Sequence, residues 1–107
     1  MPDRFLLLFC LALPGAGFAE PLVDTGRAAE LEHMVIQDCG SCHGLTLKGG
    51  LGSPLTRAAV DGVPPEVLSS IILDGVPETA MPPWRPILTE NEALWIAEFL
   101  LNREDDQ

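Results

Sequence analysis

Two cysteines and a histidine stand at a spacing that can hold a porphyrin. Residues 39–44 read CGSCHG, which places two thiols three positions apart and an imidazole directly after the second. Thiols about one helical turn apart can add to the two vinyl groups on one porphyrin edge, and the next residue then lies beneath the ring. The motif therefore predicts one covalently bound haem c, with Cys39 and Cys42 as thioether residues and His43 as the proximal axial iron ligand.

Three other kinds of site use the same residue types. A thioredoxin-like redox site also contains Cys-x-x-Cys, but it follows a strand, whereas the residues before Cys39 have a helical pattern. A zinc site needs four nitrogen or sulfur ligands, and His33 would have to complete the set. A disulfide between Cys39 and Cys42 would be strained. Haem attachment is the favoured interpretation, and the redox dithiol is the main alternative.

The first 19 residues have the features of a secretory signal peptide. Arg4 precedes an apolar run over residues 5–13, and the small residues Gly17 and Ala19 suit signal peptidase, which predicts cleavage after Ala19. The apolar run is too short for a membrane span, which needs about 20 residues. We therefore expect residues 1–19, with Cys10, to be removed on export to the periplasm, and no stable membrane insertion.

The chain is strongly acidic, with a formal net charge of −10 at pH 7. This charge argues against a nucleic-acid partner, which would require a basic binding surface. It favours a redox protein partner with a positive patch, because complementary potentials raise association rates. Acidity that only keeps a small exported protein soluble explains the composition equally well.

The segment before the motif predicts a helix. Asp24 or Thr25 can cap a helix that runs to about Asp38, with apolar residues at positions 28, 31, 34 and 35 along one side. Arg27 is expected to face water. Gly26 is a poor helix former at the start of this segment, which suggests that another helix crosses closely there.

Two further helices are predicted after a long loop over residues 44–62. Pro64-Pro65 begins the second helix, which ends at Asp74-Gly75. Its predicted buried side consists of Val67, Leu68, Ile71 and Ile72. Thr89 and Glu92 form a capping box at the start of the third and most apolar helix. Residues 76–86 contain four prolines, which exclude a helix or central strand.

Three helices with long loops make a small core for a domain of this size. A large flat apolar cofactor resolves this difficulty, because it fills the centre and gives the loops a surface to wrap around. We therefore expect an all-α fold built around one haem, and a chain that is largely unfolded without it.

Met81 is the predicted distal axial iron ligand. Its thioether is a soft, neutral donor, and histidine–methionine ligation raises the reduction potential and suits electron carriers. Met81 lies 38 residues after His43 in a proline-rich loop that can return over the other ring face. A methionine that only fills a core gap is the alternative. Met34 and His33 are weaker candidates, expected in the core and at the surface respectively.

Neighbouring residues suggest how the cofactor is held. Trp84 can pack against the haem or shield its propionates, although ordinary core packing is as good an explanation. Arg85 can neutralise a propionate or remain a solvated surface residue. A backbone carbonyl of Ser53 or Pro54 can accept a hydrogen bond from the second nitrogen of His43 and so fix the ring orientation.

Taken together, the motif at 39–43, the later Met81-Pro82 and the closing segment 96–100 resemble the class I cytochromes c. The resemblance implies a small class I cytochrome c fold over residues 20–107, with three main helices and long loops around one covalent haem. It also implies that the first and last helices cross at near right angles, with Gly26 against Phe99.

Residues 37–52 and 79–86 are similar, more specifically, to NirC-type cytochromes of denitrifying bacteria, which accompany a nitrite reductase carrying a c haem and a d-type haem. This resemblance implies a periplasmic, monomeric, monohaem single-electron carrier that is not an enzyme and that donates electrons to a dissimilatory nitrite reductase. Two alternatives stay open. One is an assembly factor in maturation of the d-type haem, and the other is a peroxidase-like haem enzyme if Met81 leaves the iron readily.

Overall fold

The computed structural model describes residues 20–104, which contain helices and loops but no strand. The helices are α1 (Thr25–Met34), a π-helical segment (Val35–Cys39), α2 (Gly40–His43), α3 (Arg57–Val60), α4 (Pro65–Asp74) and α5 (Glu90–Asn102). The predicted signal peptide lies outside the described residues. The three long helices correspond to the three predicted ones, whereas the single turn of α3 falls in a segment predicted as irregular loop.

Helix α1 leads directly into the motif. The Asp24 side chain caps the helix by accepting a hydrogen bond from the Arg27 amide at 2.7 Å. α-Helical geometry ends at Met34, and the predicted continuation to about Asp38 takes π-helical form, in which the Gly40 amide donates to the Val35 carbonyl. Such widened turns occur frequently at functional sites. Here the widened turn carries the chain from α1 into the cysteines.

Helix α5 is the element against which the others pack. Helix α4 lies along it, and α1 and α3 contact it as well. Full burial of a large aliphatic side chain stabilises the fold by about 1.5–3 kcal/mol, and α5 supplies four of the ten buried apolar residues in the described part of the chain. The buried apolar side chains are Leu31, Val35, Leu47, Val60, Leu73, Leu88, Ala93, Ile96, Ala97 and Leu100.

The contact between α1 and α5 corrects two predictions. Arg27 does not simply face water, because its guanidinium pairs with Glu92 in the first turn of α5 and with Glu30 at 2.8 Å. An added Cβ at Gly26 would meet only the Asp24 Oδ1 atom, at 3.4 Å. No crossing helix therefore requires glycine at position 26, and an ion pair fastens the two helix starts.

The predicted burial of α4 is half correct. Leu68 and Ile72 are half-buried and pack against the core, but Val67 and Ile71 are exposed. A helix can turn only one side toward α5, and this pair lies on a different side from that contact. Residues 67 and 71 are one helical turn apart, so together they present an apolar stripe outside the protein core.

Candidate functional site: a haem centre

The segment after His43 is folded back tightly on the motif, and we call residues 44–55 the His43 loop. The Gly49 amide donates to the His43 carbonyl and the Gly52 amide to the Cys42 carbonyl, both at 2.8 Å. Gly44 has φ of +91°, and a Cβ there would lie 2.6 Å from the Gly49 carbonyl oxygen. The loop can approach the motif this closely only because these positions carry no side chain.

The imidazole of His43 is oriented by the same loop. Its Nδ1–H donates to the Ser53 carbonyl at 2.7 Å, so Ser53 and not Pro54 supplies the predicted acceptor. A Cβ at Gly52 would lie 2.6 Å from Nδ1 and 2.7 Å from Cε1, so the loop backbone lies directly against the ring. With Nδ1 committed as a donor, Nε2 is the nitrogen left to bind a metal.

The two motif cysteines are free thiols with different surroundings. Cys39 is half-buried and Cys42 is exposed. Burial, reinforced by the neighbouring Asp38 carboxylate, raises the pKa of the Cys39 thiol to about 11. A disulfide oxidoreductase needs the opposite, a thiol whose pKa is lowered so that thiolate forms near neutral pH. The redox-dithiol alternative is therefore disfavoured, as is its βαβ setting, since residues 20–104 contain no strand.

Met81 lies in a second loop, residues 75–85, which we call the Met81 loop. Within it the Val76 amide donates to the Met81 carbonyl at 3.2 Å, and the Met81 amide donates to the Thr79 hydroxyl at 3.2 Å. Gly75 has φ of +68°, and a Cβ there would lie 2.5 Å from the Met81 carbonyl oxygen. The loop therefore doubles back against its own start, at the end of α4, and Met81 is half-buried.

The end of the Met81 loop is fastened to α4. The Trp84 amide donates to the Ile72 carbonyl and the Arg85 amide to the Leu73 carbonyl, both at 3.0 Å. The Trp84 side chain is half-buried against the core. The Arg85 guanidinium binds both carboxylate oxygens of Asp74 while half of its side chain stays exposed, so it is a surface arginine, one of the two predicted alternatives, with an ion-pair partner.

Sequence reasoning missed two glycines that support the site. Gly52 lies against the His43 ring, and Gly75 against the Met81 carbonyl. A glycine in a loop near a ligand candidate was the only available signal, and it does not reveal which atoms approach the backbone. Of the other ligand candidates, Met34 is half-buried beside the core and His33 is exposed, as predicted.

The residues present fit a large apolar cofactor. Several large apolar side chains remain exposed, and Leu51, beside Gly52 in the His43 loop, is 98% exposed. All but one of these exposed apolar groups lie on the His43 loop, the start of the Met81 loop and one side of α4, which indicates a surface that another group covers. The set comprises Leu45, Leu51, Val67, Ile71, Val76 and Ile87. By contrast, residues 20–104 contain no group of three or more His, Cys, Asp or Glu side chains that could hold a metal, which disfavours the zinc alternative.

Known proteins similar to this chain agree with that interpretation. The family model described as cytochrome C oxidase, cbb3-type, subunit III matches residues 26–100. Cytochrome c55X of Paracoccus denitrificans is 54% identical over 101 residues, which cover 94% of this chain and 97% of the relative. Cytochrome c55X of Pseudomonas aeruginosa is 47% identical over 98 residues, which cover 92% and 81% respectively.

Two solved structures are also similar. The c-type cytochrome NirC matches with a TM-score of 0.72 and 48% identity, over 74% of this chain and 93% of that one. The dihydro-heme d1 dehydrogenase NirN, solved in complex with DHE, matches with a TM-score of 0.64 and 26% identity, over 71% of this chain and 16% of that one. The all-α cytochrome fold, the NirC resemblance and the haem c cofactor predicted from the sequence are thereby confirmed.

Every helix within residues 20–104 falls short of the length and apolar character that a membrane span requires.

The motif, the oriented imidazole and the relatives lead to one conclusion. This chain belongs to the c-type cytochromes, in the family described as cytochrome C oxidase, cbb3-type, subunit III, and is a monohaem electron carrier like NirC.

Proposed function

We propose that Cys39 and Cys42 tether the haem, that His43 and Met81 are its axial ligands, and that residues 1–19 direct the chain to the periplasm. The observation that carries the assignment of His43 is the hydrogen bond from its Nδ1 to the Ser53 carbonyl at 2.7 Å. It leaves Nε2 free and holds the ring in one orientation. The bound haem would supply a single-electron couple, and the chain would supply its ligands, their orientation and exclusion of water.

On this proposal the protein acts by fixing His43 with the loop that follows it and Met81 within its own loop. His43 is held by a side-chain hydrogen bond and by the Gly52 backbone behind the ring. Met81 is held through the backbone of a loop stiffened by Pro82 and Pro83. With both residues held in place, the structural change between oxidised and reduced forms would stay small, and an iron bound by His43 and Met81 would leave no open position for a substrate, which favours a carrier over an enzyme.

Replacing Met81 tests the ligand assignment. In the oxidised protein, Met81→Ala should abolish the weak far-red absorption band that marks iron–methionine ligation and should lower the reduction potential, because a soft neutral donor that favours reduced iron is lost. The matched control is Met34→Ala, which removes a methionine packed beside the core and should leave the band intact. A band that survives Met81→Ala would refute Met81 as the ligand.

The partner is proposed to be a nitrite reductase that receives electrons from this monomeric carrier. The similarity to NirC supports this assignment, and the net charge of −10 favours a partner with a basic docking face. Electron transfer to that reductase should slow as salt is added, since salt screens attraction between exposed charges. Rates that do not fall with salt would remove charge attraction as the basis of docking.

A second function is favoured by the similarity to NirN, which is described as a dihydro-heme d1 dehydrogenase. On this alternative the chain exchanges electrons during maturation of a d-type haem. Deletion of the gene separates the two functions. Loss of the d-type haem from the reductase would establish the maturation role, whereas a complete cofactor with slow nitrite turnover would establish electron supply.

A further inference from the structure

Two side chains of opposite charge stand at the two ends of the Met81 loop. Asp74 is the last residue of α4, and Arg85 is the last residue of the loop. The Arg85 Nε atom donates to Asp74 Oδ1 at 2.8 Å, and Nη2 donates to Oδ2 at 2.9 Å. This is a parallel, bidentate contact, the arrangement in which an arginine–carboxylate pair is most directional. The pair closes the base of the loop that contains Met81.

Backbone hydrogen bonds between the end of the Met81 loop and the end of α4 lie beside the Asp74–Arg85 ion pair. Two amides, those of Trp84 and Arg85, reach carbonyls in the last turn of α4. Glu90, in the first turn of α5, also approaches the Arg85 guanidinium, with Oε1 3.6 Å from Nη1. Groups from α4 and α5 thus converge on the guanidinium at the end of the Met81 loop.

The position of the Met81 side chain depends on how its loop closes, whereas the His43 ring is held by a hydrogen bond of its own. The hydrogen bonds that locate Met81 involve its backbone amide and carbonyl, and its thioether is a weak acceptor at best. The position of the sulfur is therefore inherited from the loop. A loop whose base opens more often releases a side chain held in this way more often, since local opening is governed by the few contacts at its base.

We propose that Asp74 and Arg85 form a clasp that limits opening of the Met81 loop and so slows departure of Met81 from the iron. The inference rests on the proposed ligation by Met81. Both residues are positioning residues that act through the loop. About half of each side chain is exposed, at 58% for Asp74 and 50% for Arg85, so solvent screening keeps the effect modest.

Carbon monoxide binding to the reduced holoprotein tests the clasp, because the gas can occupy the iron only after Met81 has left. Asp74→Asn and Arg85→Gln should each increase the binding rate by about two- to fivefold, the range expected for loss of one partly exposed ion pair. Amide hydrogen exchange at Trp84 and Arg85 should accelerate by a similar factor. Arg85→Lys keeps the positive charge but loses the bidentate contact with the carboxylate. Its carbon monoxide binding rate should therefore lie between those of wild type and Arg85→Gln.

Two controls match these variants in charge. Arg27→Gln breaks the ion pair between α1 and α5 and removes one positive charge, far along the chain from the Met81 loop. Glu98→Gln removes one negative charge from the exposed side of α5. Neither should change the carbon monoxide rate. The double variant Asp74→Arg/Arg85→Asp restores a pair of opposite charges. Its carbon monoxide binding rate should fall below those of the single variants and back toward the wild-type rate.

Each outcome either supports or overturns the proposed clasp. Rates in the Asp74 and Arg85 variants equal to wild type would overturn the clasp. Rates that rise equally in Arg27→Gln would overturn it as well, because the effect would then follow overall stability. Failure of the ligand proposal is distinguishable, since it appears as a far-red band that Met81→Ala leaves unchanged, independent of any clasp variant.

Discussion

The two proposed ligands, His43 and Met81, are held in different ways by the loops beside them. In the His43 loop, the ligand side chain itself is held, by the Ser53 carbonyl on Nδ1 and by the Gly52 backbone against the ring. In the Met81 loop, the hydrogen bonds hold only the backbone of the ligand residue, against the Thr79 hydroxyl and the Val76 amide.

This difference follows from the chemistry of the two side chains. Imidazole has a second nitrogen that can donate a hydrogen bond while the first binds a metal, so the protein can orient the ring directly. A thioether has no donor and accepts only weakly, so its position must come from the backbone that carries it. The comparison predicts that substitutions against the His43 ring disturb the fold strongly. Substitutions in the Met81 loop should have smaller effects that vary with how far they displace the loop.

The largest effect is expected at Gly52. In Gly52→Ala, the new Cβ would lie 2.6 Å from His43 Nδ1, so the ring must tilt or the loop must move, and the bond to Ser53 is lost. Forced overpacking of this kind costs about 1–3 kcal/mol in free energy of unfolding. Thermal and denaturant unfolding of the holoprotein, with visible spectra of haem ligation, measure the change.

Ser53→Ala is the matched control, because Ser53 contributes its backbone carbonyl and its exposed side chain adds no bulk near the ring. It should unfold like wild type. If Gly52→Ala also behaves like wild type, the close support of the His43 ring by the loop backbone is wrong.

A smaller and more local effect is expected at Gly75. In Gly75→Ala, the Cβ would lie 2.5 Å from the Met81 carbonyl oxygen and 2.9 Å from Pro83 N, which pushes the loop away from α4. The far-red methionine band should weaken while histidine ligation persists. The free energy of unfolding should also fall by about 1–2 kcal/mol, because φ of +68° with ψ of −169° is a backbone conformation essentially restricted to glycine.

Gly62→Ala separates the strain from the displacement. Gly62 has a similar φ of +78°, but a Cβ there meets nothing within 4 Å. This variant should show a comparable stability cost with an intact methionine band. Equal loss of the band in both variants would show that backbone strain, and not contact with Met81, is responsible.

The smallest effect is expected from acid. Hydrogen bonds from Arg85 lower the pKa of Asp74 below its ordinary value of 3.8, although partial desolvation opposes them. A carboxyl group with a lowered pKa stabilises the folded state above that range, and the contribution is lost as pH falls through the lowered value. Carbon monoxide binding should therefore accelerate at pH below about 4 in wild type.

The acid experiment needs a control variant, because acid also protonates carboxylates outside the clasp. Contact with Arg27, and the Thr89 amide in the capping box, lower the pKa of Glu92, so the α1–α5 pair also weakens on acidification. The Asp74→Asn protein isolates the clasp, because it keeps Glu92 and keeps Glu90, the second carboxylate near Arg85, and lacks only the Asp74 carboxylate. Equal acceleration by acid in both proteins would assign the effect to the rest of the chain.

Local patterns were enough to predict the long helices and the cofactor. The Thr89 and Glu92 capping box forms as expected at the start of α5, and α4 runs from Pro65 to Asp74. The CGSCHG segment predicted haem c because its chemistry depends on spacing along the chain, and the relatives confirm it. Of the two candidate acceptors for His43, geometry was needed to select Ser53.

The sequence by itself determined what depends on neighbours in the chain: helix capping, apolar periodicity and the distance between two thiols. Only the tertiary structure decided which side of α4 faces α5, that Arg27 pairs with Glu92, and that Arg85 grips Asp74 at the base of the Met81 loop. These contacts join residues that are not neighbours on one helix: Arg27 and Glu92 are 65 positions apart, and Asp74 and Arg85 are 11. Their partners are selected by how the helices pack, and helical periodicity carries no information about which of several exposed charges will meet.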